Sequence, residues 1–418
     1  MLGSKPDVLD THFVVEQAAR DSYARLLAFL VARSRDVAAA EDALAEAFRT
    51  ALESWPRSGI PAKPEAWLLV AARRKLIDAA RRVRTHEEAL PELAAATQEA
   101  YDLAETSVVF PDERLELLFL CAHPAIEDSV RTPLMLQTVL GLDAARIASA
   151  FLVKPSAMGQ RLTRAKAKIR TARLRFDLPQ DSELAGRLES VLEAIYAAYG
   201  SGWDDVAGAD QRRKGLAAEA ISLARLVVQL MPAEPEAKGL LALLLHCEAR
   251  RDARRSADGI YLPLSEQDIA KWSMKMIGEA EAWLVDASRS GRPGRFQFEA
   301  AIQSAHAQRA RTGRTDWPAV ALLYDGLTRF WPTTGALVAR AAAIAEARGA
   351  RAGWEEFEAI SADRGKSYQP YWALAAHLLG RLGRKAEAET AYTRAIGLCE
   401  ESAMREFLRK QMDNLKDR

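Results

Sequence analysis

The sequence predicts an all-α protein. Apolar residues recur at three- and four-residue spacing almost throughout, Ala, Leu, Arg and Glu dominate, and Val/Ile/Thr alternations of strand type are rare. With 418 residues, of which 49% are apolar, the chain has ample material for buried cores and the length of two or three domains.

A first helix is expected from about Thr11 to Arg33, turning Tyr23, Leu26, Leu27 and Leu30 inward. A second, Val37 to Trp55, buries Leu44, Phe48, Leu52 and Trp55. The stretch from Ser54 to Pro64 holds three prolines and a glycine, which do not continue a helix, so it reads as a loop. A third helix, Pro64 to Arg84, begins with proline in its first turn and ends in Arg81, Arg82 and Arg84. Thr85 to Ser107 is acidic, Ala-rich and weakly periodic and reads as a linker, and Pro111 to Arg175 forms a further helical unit.

Within that unit, residues 142–170 read as two short helices joined by a tight turn. Asp143 can cap the first, Ile147 and Ala150 face inward, Phe151 to Val153 turn, and Pro155 suits the first position of the second. Met158, Leu162, Ala165 and Ile169 then make one packed face, with Gln160, Arg161, Arg164 and Lys168 on or beside the other. No acid occurs between Lys154 and Arg175. Such a helix fits a major groove, where Arg and Gln pair with base edges and Lys with phosphates, Lys166 and Lys168 here taking the phosphate role; a solvated basic helix of some other bundle is the plainer alternative.

The net charge of +1 conceals an asymmetry: residues 73–84 and 154–175 are basic, residues 87–105 acidic. Nucleic-acid contact would therefore be local. Cys121, Cys247 and Cys399 are far apart and form no Cys-x-x-Cys pair, which supports neither a disulfide framework nor a zinc site; no metal or cofactor is expected. No signal peptide and no run of eighteen apolar residues is found, pointing to a cytoplasmic protein without a membrane span. Six scattered histidines, with no Ser/His/Asp order, Gly-rich phosphate loop or HExxH pair, speak against an enzyme, and no catalytic residue is assigned.

Taken in order, the helix with Ala40-Glu-Asp-Ala-Leu-Ala-Glu-Ala-Phe48, the segment Pro64-Glu-Ala-Trp-Leu-Leu-Val-Ala-Ala-Arg-Arg-Lys-Leu-Ile-Asp78, an acidic linker and a basic helix-turn-helix resemble bacterial extracytoplasmic-function sigma factors over about Val14 to Arg175. Leu120-Cys-Ala-His-Pro124, Ala150-Phe-Leu-Val153, Gln160-Arg-Leu-Thr-Arg-Ala-Lys166, Ser265-Glu-Gln-Asp268, Trp272, Gly291-Arg-Pro-Gly294 and Asp316-Trp317 resemble the subgroup with a C-terminal tetratricopeptide-like extension. The resemblance implies a sigma-two bundle at residues 10–84, a flexible linker at 85–110, a sigma-four helix-turn-helix domain at 111–176 and a helical-repeat domain at 182–418.

It further implies that Asp42, Ala45, Glu46 and Arg49 dock on core RNA polymerase; a merely solvated Asp42–Glu46 pair is the alternative. Arg73, Arg74, Lys75, Arg81 and Arg82 would hold the partly single-stranded −10 element, and Lys154, Ser156, Gln160, Arg161, Arg164 and Lys168 the double-stranded −35 element. Trp67 could stack on a base, although its spacing to Val70 and Arg74 favours packing. The acidic linker could imitate RNA in a polymerase channel or serve as a plain tether, and Cys121 and His123 read as packed residues. Lys154 at a cap position, Arg146 in place of an acid, and Tyr196 to Trp203 depart from the family pattern.

From Ser182 onward helix pairs follow: Leu216–Leu230 with Pro235–Arg250, Glu266–Arg289 with Phe296–Arg311, Pro318–Phe330 with Gly335–Arg348, and the tetratricopeptide-like stretch Tyr371–Ala395. Arg250 to Arg255 reads as a solvated charge run. The extension would regulate the sigma domains in cis through an intramolecular contact. A free-standing helix-turn-helix regulator with a sensing C-terminal half is the competing assignment.

Overall fold

The computed structural model describes residues 8–83, 113–151, 153–178, 181–203, 216–256, 258–399 and 401–415. The expected linker lies almost wholly outside them. The described residues are helical apart from turns and one isolated antiparallel bridge, Arg255 to Tyr261. They divide into two compact units, with the division inside the helix Leu216–Leu230.

The first unit opens with a three-helix bundle, α1 (Val8–Ser34), α2 (Val37–Ser58) and α3 (Pro64–Val83). Leu26, Leu27, Leu30, Val37, Leu44, Trp55, Leu68 and Leu69 fill its core, whereas Tyr23, Phe48 and Leu52, also expected inward, are half-buried at its edge. Asp36 caps α2 by accepting from Ala39 N at 3.1 Å. The expected end of that helix is corrected: it continues through Pro56 to Ser58, and only then does Gly59 adopt φ +89° and break it. A proline so near the C-terminus forfeits a single ladder bond, which the apolar anchor Trp55 one residue earlier outweighs. Ser22 and Arg25 on α1 both meet Glu65 on α3, fastening the first helix to the third.

Next come α4 (Arg114–Cys121), α5 (Asp128–Thr138), α6 (Ala144–Ala150), α7 (Pro155–Thr171) and α8 (Asp181–Trp203). Helix α8 packs on α4 and α5, with Leu188, Val191, Leu192 and Ile195 buried and Arg187 Nη1 donating to the Phe119 carbonyl at 3.1 Å. The compact unit therefore extends past residue 182, where the sequence suggested a division, because α8 presents an apolar face to α4 and α5.

The second unit comprises the end of α9 (Leu216–Leu230), then α10 (Pro235–Glu248), three 3₁₀ turns over residues 251–271, α11 (Met274–Ser288), α12 (Arg295–Ala307), α13 (Arg309–Thr312), α14 (Trp317–Phe330), α15 (Thr334–Arg348), α16 (Ala350–Glu358), α17 (Ala362–Gly365), α18 (Gln369–Arg381), α19 (Lys385–Leu398) and α20 (Ser402–Asp413). Successive helices pack as neighbours, with α10 against α11 and α12, α14 against α15, and α18 against α19. Helix α11 starts at Met274 and not near Glu266: Asp268 accepts from Ala270 N in its own short turn, and Ser273 caps the true helix by accepting from Met276 N. Gly353 lets α15 and α16 touch, since a Cβ there would lie 2.4 Å from Ala345 Cβ.

The charge run at Arg250 to Arg255 is not solvated, which corrects the sequence expectation. Arg250 is buried, Arg251 is paired to Glu248, and Arg255 reaches Glu401 on the far side of the sequence.

Candidate nucleic-acid and polymerase interface

The helix-turn-helix forms from the residues that the spacing singled out. Asp143 Oδ1 accepts from Arg146 N at 2.9 Å, capping α6. Gly141, at φ +66°, supplies the left-handed turn before it. Pro155 opens α7, whose N-cap Lys154 makes no side-chain capping bond. Ile147, Met158, Leu162, Ala165 and Ile169 are all buried. With that face committed to the core, Ser156, Gln160, Arg164 and Lys168 are exposed, along with Lys154, and Arg161 lies half-buried at the edge. Ser156, Gln160, Arg164 and Lys168 follow one another at four-residue spacing as an exposed strip along α7.

Lys166 does not belong to that strip. It is buried, and its Nζ lies 2.5 Å from Glu41 Oε2 on α2. Arg170 Nη1 sits 3.7 Å from Asp36 Oδ2, a second bond between α7 and the start of α2. Lys166 is therefore not available as the phosphate contact its position suggested. Burial raises the Glu41 carboxyl pKa, and Lys166 lowers it. Desolvation is the larger of the two effects, so the pair holds position at a cost in solvation.

On α2, Ala43, Leu44 and Ala47 point inward while Asp42, Ala45 and Arg49 are exposed and Glu46 is half-exposed. Glu46 accepts from Arg49 through both oxygens, at 2.6 and 2.8 Å, and from Lys75 Nζ at 3.1 Å. These bonds, Arg49 first and Lys75 second, pull its carboxyl down to about 2. Arg49 also reaches Glu53 at 2.5 Å. The structure thus places Lys75 of the expected DNA set beside Glu46 and Arg49 of the expected polymerase set, forming one continuous ionic surface across α2 and α3.

Arg73 is a correction. It is 5% exposed and lies over the Phe29 ring at 5.8 Å, so it packs in the bundle and offers no surface to DNA. Arg74 is exposed. Arg81 and Arg82 belong to the last turn of α3, and their side chains lie outside the described residues. Trp67 is half-buried with its ring edge-on to Trp55 at 5.3 Å, the packing arrangement its spacing favoured.

Cys121 is fully buried beside Thr138 Oγ1 at 3.5 Å, and burial drives its thiol up to about 12. His123 Nδ1 accepts from Ala125 N at 3.0 Å. Each is accounted for by a local packing or turn role. Among the described residues no group of three or more His, Cys, Asp or Glu side chains could hold a metal.

A helical bundle with an exposed ionic α2 face is thus followed by a helix-turn-helix whose second helix carries exposed cations. Residues 19–85 match sigma-70 region 2, and residues 187–288 match a family of unknown function (DUF6596). The chain is 39% identical over 386 residues to an uncharacterized protein of Rhizobium meliloti (strain 1021), covering 91% of each. It belongs to the same family as that protein, and its residues 19–85 carry a domain of the sigma-70 region 2 type. No solved structure matches the chain. No described helix is long and apolar enough to cross a membrane.

Proposed function

We propose that the protein is a sigma factor of the extracytoplasmic-function type, which binds core RNA polymerase and directs promoter-specific initiation in the cytoplasm. The observation that carries this reading is the region 2 match on a bundle whose α2 turns Asp42, Ala45, Glu46 and Arg49 outward while its apolar face is spent in the core. An exposed acidic and amphoteric face of this kind suits a basic helical partner.

In this reading Arg74 and Lys75, with Arg81 and Arg82, meet the partly single-stranded −10 element. Gln160, Arg161 and Arg164 read base edges of the −35 element in the major groove, while Lys154, Ser156 and Lys168 contact its phosphates. The C-terminal helical part, similar in character to tetratricopeptide repeats, regulates the sigma domains in cis and is required for full activity. Covalent tethering favours such regulation, because a weak contact then suffices and a signal needs to change it by only about 1 to 3 kcal/mol. Reversal of Asp42 and Glu46 to Lys tests the assignment: association with core polymerase is lost while helical circular dichroism is kept. Full association by the double reversal would leave the α2 face a solvated surface and favour a free-standing regulator.

A further inference from the structure

The second unit contains a buried polar cluster for which promoter reading has no use. Arg250, just beyond α10, is 8% exposed, yet among the described residues its guanidinium hydrogen-bonds only neutral groups. Nε donates to the His246 carbonyl at 3.3 Å and Nη2 to Gln303 Oε1 at 2.5 Å. His246 is 1% exposed, and neither ring nitrogen has a hydrogen-bond partner among the described residues. Its Nε2 lies 3.6 Å from Glu281 Oε1, which already accepts from Ser304 Oγ at 2.6 Å.

His306 stands on α12, three residues beyond Gln303, with Nδ1 likewise buried and unpartnered and with Trp317 edge-on at 5.4 Å. A second guanidinium, Arg309, is half-buried. It donates to the carbonyls of Leu264 and Gln267 and lies 5.6 Å from the Trp272 ring. Both arginines act electrostatically on His306.

A cation removed from water needs a counter-charge. The carbonyl end of α10 offers Arg250 about half a negative charge, which offsets only part of it. Glu281, 3.6 Å from His246 Nε2, accepts from Ser304, and no ion pair joins it to Arg250 among the described residues. Two guanidiniums and two imidazoles with idle nitrogens thus outnumber the acidic groups beside them. Two imidazoles alone could suit a metal, but adjacent guanidiniums repel a cation.

We infer that this cluster recognises a small oxyanion, the carboxylate or phosphate of a low-molecular-weight ligand, with Arg250 as the principal cation and His246 and His306 as hydrogen-bond donors. The inference rests on the second unit alone and is independent of the polymerase reading. Charge-assisted bonds from a planar guanidinium are the strongest available to such a group. A ligand held there would tie the ends of α10 and α12 together.

The test titrates the full-length chain with inorganic phosphate and separately with acetate, against sodium chloride of equal ionic strength. Thermal unfolding and the imidazole proton resonances of His246 and His306 are followed together. The unfolding midpoint should rise with the logarithm of phosphate or acetate concentration and not with chloride, and both histidine resonances should move. Whichever anion acts at lower concentration identifies the preferred headgroup. Arg250→Gln should weaken binding by about tenfold or more. Should that variant not fold, the half-exposed Arg309→Gln is the second test and should weaken binding by a smaller factor. Equal responses to all three salts, or binding unchanged in whichever of these variants folds, would overturn the inference.

Discussion

The contrast between Lys166 and its neighbours shows how much one side chain's role depends on residues far away in the chain. Two residues along α7, Lys168 is exposed, whereas Lys166 is bonded to Glu41, 125 positions earlier. Spacing within a helix reveals which face is apolar, but it cannot reveal that a cation at the edge of that face meets an acid on another helix. Arg73 misled in the same way, its neighbour Phe29 belonging to a different helix of the bundle. Removing one member of a buried pair leaves the other charge uncompensated. Lys166→Met should therefore destabilise the first unit by about 3 kcal/mol, and Lys168→Met by less than about 0.5 kcal/mol. Adding Glu41→Leu to Lys166→Met should recover most of the loss in a denaturant double-mutant cycle, because burial works against the Glu41 charge even with Lys166 present. On the outer strip, Arg161→Ala and Arg164→Ala should each cost about 1 to 3 kcal/mol of promoter binding and relax preference at one base pair, measured by footprinting at fixed salt.

Single helices were legible where local rules govern them. The four-three-four spacing of Met158, Leu162, Ala165 and Ile169, the cap at Asp143 and the proline opening α7 each rest on residues within one or two turns, and each is present in the fold. Boundaries set by tertiary packing were harder to read. Helix α2 runs past Pro56, and α8 joins the first unit although nothing in its own sequence says which neighbour it covers. That membership carries a prediction: a fragment ending at Asp177 strips α8 from α4 and α5, removing the buried Leu188, Val191, Leu192 and Ile195 and the Arg187 bond to the Phe119 carbonyl. It should unfold at lower denaturant than a fragment ending at Leu223, as read by circular dichroism, and transcription by truncated protein should be compared using the longer fragment. Between α15 and α16, Gly353→Ala should cost about 1 to 3 kcal/mol through overpacking, detectable as a lowered melting midpoint.

For the molecule as a whole, the sequence exposed the all-helical class and the order of bundle and helix-turn-helix, because both follow from periodicity and charge. It did not expose the buried polar cluster at His246, Arg250 and His306: His246 and Arg250 stand one turn apart, but Gln303 and His306 on α12 become their neighbours only through packing. That cluster sets a pH dependence. Burial first, and Arg250 second, lower His246 and His306 to about 4. Both are neutral in the fold at neutral pH, whereas an unfolded histidine takes up a proton near pH 6.5. Between those values the unfolded chain binds more protons, so stability falls as pH drops from about 6.5 towards 4, by up to about 1.4 kcal/mol per pH unit for each histidine. Denaturant titrations across that window should show the slope, and His306→Asn should remove about half of what these two histidines contribute.

The central claim is that region 2 and the helix-turn-helix act together on polymerase and promoter, and run-off transcription with core polymerase tests it most directly. Core enzyme plus the full-length protein, supplied with a genomic promoter library, should yield transcripts starting at defined sites that core enzyme alone does not produce. Those transcripts should vanish when Asp42 and Glu46 are reversed to Lys. Sequence-specific DNA binding by the protein with no association with core enzyme and no added start sites would contradict it.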